Sequence, residues 1–253
     1  MSIEALDIRA GEFTFDALAS GPADGRLVLL LHGFPQLATM WRRQLVALGE
    51  AGYRAVAPNQ RGYASGARPA EVADYHLDHL VADVLAMADS LGVDRFDLVG
   101  HDWGAIVGWH LAHRHRERLR SYTAVSVPHM AAVQQALNSG ESDQKQRSSY
   151  IDVFRAEGHV AERILLEDDA GRLRNILRFP GADEAAVDET VKAMQEPGRL
   201  TGALNWYRAM ERPRFDGSPD VFVPTLFIGS TNDLAVSLEA IERCGDFVKA
   251  EFR

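Results

Sequence analysis

The run Gly100-His101-Asp102-Trp103-Gly104-Ala105 stands directly behind the apolar Phe96-Asp97-Leu98-Val99 and directly ahead of the helix-like Ile106 to Ala112. A strand that enters a helix through a turn flanked by glycines pushes the middle side chain out above a parallel sheet. Here that side chain is a carboxylate. A serine in this place attacks acyl carbon and gives an acyl-enzyme, whereas an aspartate suits displacement at an sp³ carbon and leaves an alkyl ester on the protein. The motif points away from ester and peptide hydrolysis, toward epoxides or alkyl halides. Glycine and aspartate also build ordinary turns, so the rest of the chain has to agree.

It does so first in its rhythm. Alternating apolar residues at Leu6 and Ile8, then at Phe13 and Phe15, predict two antiparallel strands broken at Gly21-Pro22. Leu27 to Leu31 is a continuous apolar run, the pattern of a central strand covered on both faces. A helix around Trp41 to Leu48 and a strand over Ala55 to Ala57 follow. Leu80, Val84, Met87 and Leu91 repeat at helical spacing and Gly92 sits where the helix would be capped. Tyr122 to Val127 reads as another strand, stopped by Pro128. The alternation predicts an α/β fold with a doubly wound, mostly parallel sheet.

From about His129 to Asp220 the rhythm breaks into polar, helix-leaning sequence, with helical pieces expected around 151–154, 161–166 and 200–210. This segment is expected to be a helical lid inserted between a first core part (1–128) and a second (221–253). The strand and helix order resumes at Pro224 to Gly229 and Leu238 to Cys244.

A net charge of −9, from 27 Lys and Arg against 36 Asp and Glu, gives no electrostatic case for nucleic acid or an anionic membrane surface. A small neutral organic substrate and water are the expected partners, and nothing points to a cofactor, a metal or an oligomeric state. The N-terminus lacks a basic stretch followed by an apolar one, and no apolar run is long enough to span a bilayer, so a cytoplasmic protein is expected. The single cysteine, Cys244, excludes an intrachain disulfide.

Four separated segments then agree: HGFPQ at 32–36, RGY at 61–63, GHDWGA at 100–105 and PTLFIGSTND at 224–233. In this order they resemble the epoxide hydrolase and haloalkane dehalogenase branch of the α/β-hydrolase fold, over essentially the whole chain. The resemblance implies that Asp102 is the nucleophile and that Asp233 is the acid that orients a histidine. It implies an oxyanion hole from the backbone N–H groups of Phe34 and Trp103. Asn205-Trp206-Tyr207-Arg208 resembles the epoxide hydrolase lid motif, which makes Tyr207 one of two ring-opening phenols, with Tyr150 as the second. Phe34, Trp103, Trp206 and His129 are the expected pocket residues. His32 and His101 are expected to be structural, with His101 pointing away from the site, and Arg61 to tie down its own loop.

An opening epoxide develops a strongly basic alkoxide and needs a proton donor, whereas halide is weakly basic and needs only N–H donors. The two tyrosines favour the epoxide; a haloalkane or haloacid dehalogenase is the alternative. A histidine is expected after the last strand to activate water, yet none of the nine histidines follows Asp233. About thirty residues of fold, a strand and a helix, would be absent after Arg253. Three readings stand open: a truncated hydrolase with impaired turnover, a non-catalytic ligand-binding relative, or a substitute histidine, for which His129 is best placed.

Overall fold

A seven-stranded sheet forms the centre of the computed structural model, which describes residues 2–179, 182–210 and 219–253. The expected span 129–220 therefore includes residues 180–181 and 211–218, which lie outside the described ones. The strands are β1 (Glu4–Ala10), β2 (Phe13–Ser20), β3 (Leu27–Leu31), β4 (Arg54–Pro58), β5 (Phe96–His101), β6 (Leu119–Val125) and β7 (Thr225–Ile228). Their order across the sheet is β1-β2-β4-β3-β5-β6-β7. β1, β2 and β4 run antiparallel in turn, and β4, β3, β5, β6 and β7 are parallel.

β3 is buried along its whole length because helices lie on both faces, which is why its sequence shows no alternation. Even-numbered Val28 and Leu30 pack with Trp41, Leu45 and Ala55 below one face; Leu27, Leu29 and Leu31 join the larger core on the other. The flanking helices are α1 (Arg42–Glu50), α2 (Leu77–Ser90) and α3 (Trp103–Arg114). Gly104 in α3 is needed for this packing, since a Cβ there would lie 2.4 Å from the Leu31 carbonyl oxygen.

Between β6 and β7 the chain makes α4 (Met130–Asn138), α5 (Gln144–Arg147), α6 (Tyr150–Arg155), α7 (Val160–Leu177), α8 (Glu184–Met194) and α9 (Arg199–Ala209). This insertion has no strand among its described residues. It is held to itself by Arg208 of α9, which forks onto Glu162 of α7 at 3.0 and 2.8 Å. Burial would raise the Glu162 carboxyl, but the Arg208 bonds and charge, a backbone N–H and His159 together hold it down at about 2. The insertion also folds back onto the sheet's loops: Trp206 Nε1 donates to the Arg61 carbonyl at 2.9 Å. Arg61 does secure its own loop, through a buried bidentate pair with Asp83 at 2.7 Å and a bond to the Asp74 carbonyl.

One strand boundary needs adjusting. β6 starts at Leu119 and ends at Val125, earlier than the apolar run suggested: its first residues include exposed Arg120, which breaks the apolar run, and its register with β5 shifts between Phe96 and Asp97. The outer edge of β7 is also partly paired: Thr225 N donates to the Glu251 carbonyl, and Phe227 N to the Arg253 carbonyl, at 2.8 and 2.9 Å. After β7 come α10 (Leu238–Glu242) and a single 3-10 turn at Cys244–Phe247. No helix among the described residues is long and apolar enough to cross a membrane.

Candidate active site

Asp102 sits at the end of β5, where the chain turns into α3, with φ +53° and ψ −117°. A non-glycine residue held at positive φ costs on the order of 1–3 kcal/mol and persists only where its surroundings over-determine it. Here β5 pairs on both sides, with β3 and β6, and the first bonds of α3 run from Ala105 N and Ile106 N to the Asp102 carbonyl at 2.9 and 3.1 Å. The side chain is thereby thrust toward the loop after β3.

That loop is shaped to receive it. Phe34 N donates to Asp102 Oδ1 at 2.7 Å, and the Trp103 N–H is a second backbone donor to the same carboxylate. Gly33 allows the approach: a Cβ on it would stand 2.3 Å from Oδ1 and from Asp102 Cβ. His32 fixes the loop from below. Gln60 N donates to its Nε2 at 3.1 Å, which leaves the proton on Nδ1, facing the Gly33 carbonyl at 3.2 Å, while Gln60 Nε2 donates to the His32 carbonyl at 2.7 Å. Complete burial holds this imidazole neutral, with its pKa lowered to about 3. The HGF segment thus contributes a pinned histidine, a steric gap and an amide in three consecutive residues.

Burial raises the Asp102 carboxyl above the usual aspartate range, while the nearby His101 and the amides of Phe34 and Trp103 oppose it. The arrangement provides a desolvated carboxylate with Oδ1 already held by the Phe34 amide.

The expected phenols converge on it. Tyr207, on α9, packs edge-on against Trp103 at 5.1 Å, Phe34 at 5.4 Å and Phe154 at 5.0 Å between ring centroids. Tyr150, on α6, packs on Phe154 at 5.3 Å and lies 6.3 Å from the Tyr207 ring. Burial first, then the charge of Asp102, pushes both phenols above their ordinary value of 10.0. Asp102, Trp103, Tyr150 and Tyr207 all line one cavity of about 620 Å³. Its remaining walls come from α4, α5 and the loop after β7.

α9 reaches this position because two glycines let it. Gly202 of α9 crosses Gly62 of the RGY segment so closely that a Cβ on Gly202 would lie 2.7 Å from Gly62 Cα, and one on Gly62 would lie 2.7 Å from the Gly202 carbonyl carbon. Arg199, at the start of α9, donates to the Tyr63 carbonyl at 2.8 Å and fastens the same crossing.

Asp233 lies on the loop after β7. Its Oδ1 accepts from Ala235 N at 2.8 Å and Val236 N at 2.9 Å, so it braces its own turn; α10 is capped instead by Ser237. Its charge is felt by Asp102, Tyr150 and His101.

Three placements differ from expectation. Trp206 lines a second, smaller cavity of about 180 Å³ on the far side of Trp103. It neighbours Tyr207 on one helix, about 100° around the axis, so the two cannot face the same way. His129 also lines the smaller cavity. Its Nδ1 accepts from Ala131 N at 3.1 Å, which caps α4, its ring stacks on Phe247 at 4.9 Å, burial lowers its pKa to about 4, and it is not among the residues that line the larger cavity with Asp102. Phe34 contributes its amide, while its ring packs on Phe154 and Tyr207. Conversely His101 is nearer the site than expected: its Nδ1 is buried without a hydrogen-bond partner, and both Asp102 and Asp233 favour its protonated form against the effect of burial.

Sequence and structure comparisons agree with this geometry. Residues 26–253 match the family described as alpha/beta hydrolase fold. Epoxide hydrolase A of Mycobacterium tuberculosis is 30% identical over 92% of this chain and 84% of its own length. An AB hydrolase superfamily protein of Bacillus subtilis is 33% identical over 84% of this chain and 77% of its own. The crystal structure of epoxide hydrolase A from Mycobacterium thermoresistibile superposes with a TM-score of 0.84 at 27% identity, over all of this chain and 90% of that one. A parallel sheet in this order, an aspartate on the strand-to-helix turn and a match that runs from β3 to the last residue have one common explanation: the chain belongs to the alpha/beta hydrolase fold family.

Proposed function

We propose that the protein is an epoxide hydrolase in which Asp102 opens the ring as a nucleophile, under a lid formed by residues 129–220 over a core formed by 1–128 and 221–253. In the first step the carboxylate oxygen of Asp102 not held by Phe34 bonds to one ring carbon, the carbon–oxygen bond breaks, and the oxygen takes the proton of Tyr207 or Tyr150. The product is a hydroxyalkyl ester on Asp102. In the second step water adds to the ester carbonyl, whose oxygen is the one already facing Phe34 N, the diol departs as the carboxylate is restored, and the proton given up by the water returns to the tyrosinate left by the first step. The substrate is small and neutral, and no cofactor takes part.

The observation that carries this reading is the convergence of two buried phenols and two backbone N–H groups on one desolvated carboxylate in a single cavity. Phenols that stay protonated suit an alkoxide leaving group and offer less to a halide. The epoxide hydrolases among the relatives support the same choice.

Labelling by an aryl epoxide, followed by intact mass, tests it through pH. Ring opening needs the Asp102 anion, whose pKa is raised above 3.8, so the rate is full above that raised value and falls as pH drops through it. The donors are phenols raised above 10.0, so no alkaline loss is expected up to pH 10. Labelling at Asp102 is expected not to exceed one adduct per chain. A rate that declines between pH 8 and 10, or labelling beyond one per chain, would count against the assignment.

A further inference from the structure

One wall of the large cavity is a loop, 233–237, that is short, lacks regular structure and yet is held in place by polar side chains of the insertion. Gln144 of α5 is 1% exposed, and both of its amide hydrogens and its carbonyl oxygen are paired. Its Nε2 donates to the Ala235 carbonyl at 2.8 Å and to Ser148 Oγ at 2.9 Å, and its Oε1 accepts from Ser237 N at 2.8 Å. One turn later Arg147 Nη1 donates to the Asp233 carbonyl. The loop also folds on itself through Asp233 Oδ1. A buried amide that reads both a carbonyl and an N–H two residues apart fixes a backbone segment in position and orientation, because leaving either arm unpaired costs the full desolvation of that group. Ala235 and Val236, the residues between those two anchors, line the cavity with Asp102, as do Gln144 and Ser148 themselves.

We propose that Gln144 is a positioning residue that sets substrate width: it holds the 233–237 loop against α5, fixes the wall at Ala235 and Val236, and so limits the bulk of the epoxide that reaches Asp102. This rests on the epoxide reading of Asp102. The clamp joins the insertion directly to the loop that carries Asp233, so two bonds from Gln144 and one from Arg147 hold both the cavity wall and the backbone at that carboxylate. Val236 is also packed with Ala136 of α4 and Ala240 of α10, which keeps the loop attached to the protein when the amide is removed and lets the wall relax without unfolding.

The test compares rates of Asp102 alkylation by styrene oxide and by the bulkier trans-stilbene oxide in the 253-residue chain and in Gln144→Met, together with amide hydrogen exchange. Gln144→Met is expected to raise the stilbene to styrene rate ratio about tenfold, the scale on which pocket size discriminates substrates. Protection should be lost at Ala235 to Ser237 and kept in α2. Val236→Ala, which trims the wall and leaves the clamp intact, is expected to raise the same ratio without the loss of protection. An unchanged ratio in either variant overturns the proposal, as does a parallel fall of both rates with protection lost throughout the chain. If the unsubstituted chain gives no Asp102 adduct, the epoxide reading fails on its own. The wall is then judged by the affinity for trans-stilbene, read from quenching of tryptophan emission, where a tenfold gain in Gln144→Met supports it and equal affinity overturns it.

Discussion

Tyr207→Phe is expected to slow alkylation of Asp102 by an aryl epoxide about 10²-fold, the usual contribution of a positioned general acid. The substitution removes one oxygen and leaves the ring among Phe34, Trp103 and Phe154, so stability should hardly change. The ring-opening step loses its donor at the moment the alkoxide forms, and Tyr150, 6.3 Å away between ring centroids, can compensate only in part. Tyr150→Phe alone should cost less and the double variant more than either. Single-turnover mass shifts give all four rates. Equal rates in the parent and Tyr207→Phe would remove the phenol from the mechanism, and a larger loss with alkyl chlorides than with epoxides would favour dehalogenation.

The second large effect comes from a residue with no functional group. Gly202→Ala places a methyl 2.7 Å from Gly62 Cα and 2.9 Å from the Gly62 carbonyl oxygen. Neither partner can swing aside as a side chain would, so α9 must move, and it carries Tyr207. Overpacking of this kind costs about 1–3 kcal/mol. Alkylation should drop at least about tenfold, because a misplacement of around 1 Å is enough to lose that much. Gly171→Ala is the control: a Cβ there meets only Asp168 Cβ at 4.0 Å, and both the urea midpoint and the labelling rate should stay where they are. A normal labelling rate in Gly202→Ala would show that the glycine crossing does not position the phenol.

The parts of this site legible in the sequence are those set by local backbone. The elbow at Asp102 and the continuous apolar run of β3 are written in adjacent residues, and so are the HGF and RGY loops. What the sequence left unread depends on partners far along the chain. Gln144 sits in a polar stretch and looks like surface; only its bonds to Ala235 and Ser237, more than ninety residues away, make it part of the cavity wall. α4 and α8 went unread for another reason. The buried face of α4 is Ala131, Ala132 and Ala136, and alanine spaced this way leaves little apolar contrast against its neighbours. In α8 the inward positions Val187, Val191 and Met194 do have helical spacing, but no neighbouring strand marks them as part of a repeating unit. Trp206 and His129 are expected in the pocket, but the turn of α9 directs Trp206 away from Tyr207, and His129, which caps α4, lines the same smaller cavity.

The placement of Asp102 as the nucleophile is the centre of the account, and the most direct test is to find the bond. The chain is exposed to an excess of an aryl epoxide at neutral pH, digested, and the modified peptide is sequenced by mass spectrometry, with freshly purified Asp102→Asn treated in parallel. The account predicts a single hydroxyalkyl ester on Asp102, released as diol by mild alkali, and no adduct in Asp102→Asn. An adduct on another residue, or labelling of Asp102→Asn at the same rate as the parent, would contradict it.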